Sequence, residues 1–124
     1  TPSLGCGVRL VDSSDCILNS CSWLDDSETG QASGASLLEL VRCQRISIGH
    51  CHLLDGVPGG IDVSDSSWVT IASCLLTDRR SPPLARHLVR FTGEGEANLL
   101  DGNRLGSCLG DPLQLDASAG VEQR

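Results

Sequence analysis

With 124 residues, 40% of them apolar and 20% charged, the chain has the make-up of one folded domain, or one piece of a repeat domain, and not that of a disordered segment. Its net charge of −7, with nine basic residues that are all arginine, argues against nucleic acid and anionic membrane surfaces as partners, and no apolar run approaches the ~18 residues of a membrane-spanning helix. Trp23, Trp68 and Phe91 are the only Trp, Tyr or Phe residues, so a core has to be assembled from Val, Ile, Leu, Ala and Cys, which suits flat stacked layers.

The chain opens at Thr1, carries no Met and shows no basic-then-apolar leader, and it reads as a processed or excised piece. Residues 8–25 (VRLVDSSDCILNSCSWLD) form the first copy of an internal repeat. A polar, Gly/Ser-rich stretch, 26–36, follows and is expected to protrude. The second copy, 38–55 (LELVRCQRISIGHCHLLD), aligns on the first without gaps, and a Pro/Gly return at 56–60 leads to the third, 61–78 (IDVSDSSWVTIASCLLTD). The offsets between copies are 30 and 23 residues, and the difference falls in the connecting loops.

Six columns of this alignment are apolar in every copy: Val8/Leu38/Ile61, Leu10/Leu40/Val63, Cys16/Ile46/Val69, Leu18/Ile48/Ile71, Cys21/Cys51/Cys74 and Trp23/Leu53/Leu76. Within a copy they alternate with polar residues in three short runs, which is strand periodicity. Small polar residues between the first two runs favour tight turns. The outward columns obey the same register. Strands stacked about 4.8 Å apart place Arg42 between Asp12 and Asp65, Arg45 beside Asp15, and Arg9, Glu39 and Asp62 in one line.

Residues 79–86 form a basic loop whose two prolines bar helix and central strand. A fourth, irregular copy is expected over 89–105. It sets Val89 and Phe91 under Ile61 and Val63, and Ala97 and Leu99 under Val69 and Ile71. Gly102 and Arg104 then fall in the last two inward columns and the match fails. From residue 106 the pattern dissolves, so 1–107 reads as the repeat segment and 108–124 as a C-terminal tail or linker.

The stretch 60–74 (GIDVSDSSWVTIASC) resembles the parallel β-helix repeat of the pectin-lyase-like superfamily: strand, Ser-rich turn, Val-Thr-Ile, then a cysteine. The resemblance covers roughly residues 8–105 and implies an all-β fold, a right-handed parallel β-helix or solenoid of about three regular coils plus one irregular coil. A leucine-rich repeat is the structural rival. Its Leu-x-x-Leu-x-Leu-x-x-Asn signature is absent, and each copy here has several alternating runs rather than one. Three or four coils without caps would leave edge strands open at both ends, so further β-helix coils of the same parent chain are expected.

The seven cysteines, Cys6, Cys16, Cys21, Cys43, Cys51, Cys74 and Cys108, have neither CxxC spacing nor a zinc-ribbon pattern. Cys21, Cys51 and Cys74 share an inward column, where a metal or redox ladder competes with a stack of buried thiols acting as small hydrophobes; the latter is the expectation. Asp25, Asp55 and Asp78 share the position that closes each copy, with Asp26 beside the first. Stacked carboxylates repel unless turn amides or a cation such as Ca²⁺ relieve them, and turn-capping is the expected role. No metal site and no required cofactor emerges, Ca²⁺ being the one candidate. His50 and His52 flank Cys51 and point outward together, as a metal- or proton-handling pair or as solvated surface groups.

The pectin-degrading hydrolases of the superfamily carry an Asp-Asp pair followed about a coil later by Gly-His-Gly and then Arg-x-Lys. Asp25-Asp26 and Gly49-His50-Cys51 are similar to the first two elements only, with Cys51 in place of the second Gly and no Arg-x-Lys. By that resemblance Asp25, Asp26, His50, Asp55 and Asp78 are the catalytic candidates. Arg79, Arg80 and His52 are the candidates for contact with a substrate such as a uronate-bearing polysaccharide. Fold likeness of this kind says little about function. The expectation is a scaffold segment, extracellular or at the cell surface by analogy with the superfamily and facing carbohydrate, without a complete active site. The alternatives are a fragment of a polysaccharide lyase, hydrolase or epimerase, and an adhesin or phage-tail type of β-helix.

Overall fold

Short runs in which apolar and polar side chains alternate favour extended backbone with one face turned inward, and here each run is only as long as one strand. A computed structural model of the chain describes residues 8–24, 36–56, 59–79 and 81–124. Among these there is no α-helix. The first repeat gives β1 (Val8–Val11), β2 (Ser14–Asn19) and β3 (Ser22–Leu24), and the second gives β4 (Leu38–Val41), β5 (Gln44–Gly49) and β6 (His52–Leu54). The third gives β7 (Ile61–Ser64), β8 (Ser67–Ala72) and β9 (Leu75–Thr77). Then follow β10 (Val89–Thr92), β11 (Asn98–Asp101), β12 (Arg104–Leu105), β13 (Leu113–Leu115), a 3₁₀ turn (Ala117–Ala119) and β14 (Val121–Gln123).

The strands assemble into three sheets, ordered β1-β4-β7-β10-β13, β2-β5-β8-β11-β14 and β3-β6-β9-β12. Every pairing is parallel. The chain therefore visits the three sheets in turn and adds one strand to each per pass. Register agrees with the repeat alignment residue for residue over the first three passes: Val8 pairs Leu38 and Leu38 pairs Ile61, Cys16 pairs Ile46 and Ile46 pairs Val69, and Trp23 pairs Leu53 and Leu53 pairs Leu76.

The fourth pass departs from the expected alignment by one residue. Val89 and Phe91 pair Ile61 and Val63 as expected, but Leu99 pairs Thr70 and Leu100 pairs Ile71. The inward column below Val69 is thus filled by Asn98, not Ala97. The cause is the turn. Residues 92–97 separate Phe91 from Asn98, one more than the residues 64–68 that separate Val63 from Val69. Once the surplus is absorbed the columns resume. Asn103 sits under Cys74, to whose amide it is bonded, Arg104 is exposed, and Leu105 pairs Leu76.

A second correction concerns the C-terminal stretch. Residues 108–124, expected as a tail or linker, carry a fifth partial pass. Leu113 and Leu115 pair Val89 and Phe91, and Val121 pairs Asn98. The spacing of Leu113, Leu115 and Val121 carried that signal, which the offset in the fourth copy hid. The stretch expected to protrude, 26–36, lies outside the described residues apart from Ser36, which is buried.

The columns meet as a single apolar core. Leu38, Leu40, Ile46, Ile61, Val69, Ile71, Leu76 and Val89 are each fully buried, whereas Val8, Leu10, Cys16, Leu18, Leu113, Leu115 and Val121, in the outermost passes, are partly buried. The corners repeat as faithfully as the strands. Asp12, Arg42 and Asp65 hold φ of 53, 51 and 49°; Asp15, Arg45, Trp68 and Ala97 hold 58, 56, 59 and 55°; Ser20, His50 and Ser73 hold 58, 52 and 56°. A left-handed conformation costs a non-Gly residue about 1–2 kcal/mol. It persists here because corner amides are tied to the next pass, as in Asp12 N to Val41 O (2.9 Å), Arg42 N to Ser64 O (3.0 Å) and His50 N to Ala72 O (3.2 Å).

Candidate functional site

Of the carboxylates nominated from the sequence, Asp55 and Asp78 are described, and both serve local structure. Asp55 is 8% exposed and accepts from the Arg79 amide (2.7 Å) and from Nη2 of the Arg79 guanidinium (2.8 Å). Asp78 is 1% exposed, and its Oδ2 accepts from the amides of Leu84 (2.6 Å) and Ala85 (2.7 Å), which folds the proline-rich loop back onto the sheets. These are turn-capping contacts. Asp25, Asp26 and Arg80 lie outside the described residues. Arg79, nominated to grip a uronate, is engaged by Asp55, whose hydrogen bond and charge raise its pKa.

His50 and His52 are both exposed, His50 at a corner and His52 on β6. The three-residue strand β6 lies between the corner that holds His50 and Asp55. Among the described residues no group of three or more His, Cys, Asp or Glu is placed to hold a metal ion. Cys51 and Cys74 are buried free thiols, with Cys21 partly buried at the end of the same column. Each sulfur lies near the carbonyl two residues back, at 3.3 Å for Cys51 to Gly49 O and 3.4 Å for Cys74 to Ala72 O. Burial pushes the Cys74 thiol pKa up, which disfavours the thiolate that metal binding and redox exchange need.

The charge register expected from the outward columns is present. Arg42 grips Asp12 in a two-pronged pair (2.7 and 3.1 Å) and Arg45 grips Asp15 likewise (2.5 and 3.1 Å). In each pair the guanidinium hydrogen bonds hold the carboxyl below its usual range. On the outer face of the first sheet, Arg9 meets Glu39 at 3.6 Å and Arg90 meets Asp62 at 2.9 Å, along a shallow groove of about 220 Å³. Asp62 also bonds the ring of His87, which is 1% exposed. Burial alone would raise the Asp62 carboxyl; the His87 hydrogen bond and the His87 and Arg90 charges outweigh it and hold the pKa down. Sequence reasoning missed this cluster, because His87 sits in a proline-rich loop outside any repeat column.

It also missed a shallow opening in the surface at the fourth pass. The longer turn of the fourth pass carries Glu94, Gly95 and Glu96 outward, and with Ser67 and Ser118 they line a recess of about 520 Å³. The turn is pinned from both sides: Glu94 N donates to Asp65 Oδ1 (3.2 Å), Glu96 N to Ser67 Oγ (3.1 Å), and Gly93 N to Asp116 Oδ2 (3.2 Å). Beside it stands Trp68, whose amide donates to Glu96 O (3.0 Å) and which is 56% exposed. A bulky residue in the left-handed region is an outlier, and an exposed indole costs hydration. The sequence signal was the surplus residue in TGEGEA (92–97), legible only once the register on both sides was known.

No family model, no curated protein and no solved structure matches this chain.

Proposed function

We propose that the three sheets wind as a right-handed parallel β-helix of the pectin-lyase-like kind, and that the chain is a segment of an extracellular or cell-surface scaffold that faces carbohydrate. The observation that carries this reading is the register: the same inward columns run through successive parallel strands of three sheets visited in fixed order. Stepping one strand along each sheet per pass is the connectivity of such a helix, and parallel crossovers are right-handed in about 98% of cases. The location outside the cell follows from the resemblance of residues 60–74 to that superfamily. Carbohydrate is favoured by the exposed Trp68, whose amide bonds Glu96 O, since an exposed indole face packs on the C–H face of a sugar.

A scaffold role is supported over catalysis by this segment. Glycoside cleavage by acid and base needs one carboxyl held protonated, which requires a raised pKa. Asp55 and Asp78 are occupied by turn amides. The test pairs far-ultraviolet circular dichroism with glycan-array binding on one sample. A β-dominated spectrum with retention of at least one oligosaccharide class is expected. A helical spectrum would sink the fold, and a folded protein that retains no glycan would sink the carbohydrate role.

A further inference from the structure

We infer that the end face built by β12, β13 and β14 is self-complementary and docks the same face of a second copy of this chain across a two-fold axis. This goes beyond the scaffold reading above and stands on strand order, register and charge alone.

Each sheet ends on one of these strands: β13 closes the first, β14 the second and β12 the third. Their far edges carry no strand among the described residues, so a row of amides and carbonyls lies open on each. The core is open at the same face. In the third pass Ile61, Val63, Val69, Ile71 and Leu76 are at most 1% exposed, whereas Leu105, Leu113, Leu115 and Val121, which continue those columns, are only partly buried. The fifth pass has strands on the first two sheets only. Beside β12 a cavity of about 120 Å³ remains, with Val89, Leu100, Leu105 and Leu113 as its apolar walls.

Because the chain adds one strand to each sheet in turn, the three end strands form a stair in the order β12, β13, β14. A head-to-tail stack would set β1 of a second copy on β13 and β2 on β14, and would leave the third sheet one strand short among the described residues. A two-fold axis through the middle step leaves no such gap. It sets β13 antiparallel to its own copy, and β14 against β12 of the second copy on both sides of the axis. All three sheets then run on across the interface, and the cavity is covered.

Keeping inward side chains opposite inward ones allows a register in which the chemistry matches. Across the axis Leu113 faces Leu115 of the second copy. Between β14 and β12, Val121 faces Leu105, Gln123 faces Asn103 and Glu122 faces Arg104. Apolar meets apolar, amide meets amide and acid meets base, each of them twice. Charges on an edge strand ordinarily repel a second copy, but here the axis brings opposite signs together, which favours cross-strand pairing. Both groups are free to engage. Arg104 forms no ion pair among the described residues, and Glu122 has only Arg124 of its own strand, at 3.2 Å with both side chains 63% exposed, a kind of pair worth little. An interface of this isologous type closes at two copies.

Sedimentation equilibrium of the full chain, under reducing conditions and over a concentration series, reads the association. A monomer–dimer equilibrium is expected. Glu122→Arg and Arg104→Glu each set like charges face to face at both contacts and should weaken the dimer about tenfold or more. The Glu122→Arg/Arg104→Glu double variant exchanges the signs and should bring the dissociation constant back to within about threefold of the parent's. Both side chains are exposed, so the dichroism spectra of all three variants should match that of the parent. Repair of one reversal by the other is a result that local damage to the fold would not produce. A chain that stays monomeric up to about 1 mM would assign the face to another occupant, such as further coils of a parent chain, and overturn the inference. A mass that keeps growing with concentration would overturn it in favour of head-to-tail stacking. So would a dimer that the single reversals leave intact, or one that the double variant fails to restore.

Discussion

Replacing Asn98 with Ala removes a side chain that is 1% exposed and bonded on both sides of its own strand. Its Oδ1 accepts from Val69 N (2.9 Å), and its Nδ2 donates to Ser66 O (2.9 Å) and Ala119 O (2.8 Å). The substitution strands three backbone groups of the neighbouring passes. At about 1–3 kcal/mol for each buried group left without a partner, and allowing that some water enters, the loss comes to about 3–6 kcal/mol. That is comparable with the whole stability of a typical domain, about 5–15 kcal/mol. Urea unfolding followed by circular dichroism measures it as a shift in midpoint at constant slope. Asn98→Val separates hydrogen bonding from packing, since Val is what the column carries at position 69 and again at 121. It should rescue little, because the same three groups stay unpaired. Should neither variant fold, Asn103→Ala carries the test. Asn103 is partly exposed and makes two such bonds, Oδ1 from Cys74 N (3.0 Å) and Nδ2 to Ile71 O (2.9 Å), so about 1–3 kcal/mol is expected. An Asn98→Ala loss below about 1 kcal/mol, or full rescue by Val, would refute the reasoning.

Acid should unfold the chain in part through Asp62. Its folded-state pKa lies below its unfolded value, so its contribution is present above about pH 4 and is lost as pH falls through the folded value. Asp62→Asn should flatten that limb of a stability-versus-pH curve, and an unchanged limb would count against the His87–Asp62–Arg90 arrangement. Cys43, Cys51 and Cys74 are at most 2% exposed and should resist a thiol reagent in the native protein, reacting only as denaturant opens the core; rapid native labelling of Cys51 or Cys74 would contradict a buried stack. Asp78→Ala should release the loop held through Leu84 and Ala85. The expected signs are faster proteolytic cleavage within residues 79–88 and a loss of about 2–4 kcal/mol, from hydrogen bonds to a charged acceptor; a cleavage rate equal to the parent's would refute it.

The strand ladder was legible because each inward column repeats its chemistry: Leu18, Ile48 and Ile71, or Cys21, Cys51 and Cys74, can be overlaid without knowing any geometry. The ion pairs were legible for the same reason, since Arg42 over Asp12 and Arg45 over Asp15 follow from one alignment. Legibility stopped at Ala97. A surplus residue in a turn shifts every later position across the sheet, because side chains alternate with a period of two. Read without that shift, Gly102 and Arg104 fall on the core and the fourth pass looks broken. Read with it, Asn98, Leu100, Asn103 and Leu105 fill the columns and the fifth pass follows. His87 was hidden for another reason: its burial depends on a loop folded back by Asp78, a contact with no periodicity to read.

That same surplus residue joins the fold to the site. On the sheet faces a fixed register brings Arg and carboxylate columns together, and their charges cancel. A turn one residue longer cannot keep its side chains in those columns, so Glu94 and Glu96 form no ion pair among the described residues and line a shallow opening in the surface. Unpaired charge and a shallow opening in the surface therefore share one cause. In a molecule whose regularity serves to neutralise and bury, exposed unpaired charge is found where turn length changes. Asp55 and Asp78, which sit in a repeated position, hold turns, whereas Glu94 and Glu96, in the irregular one, are exposed.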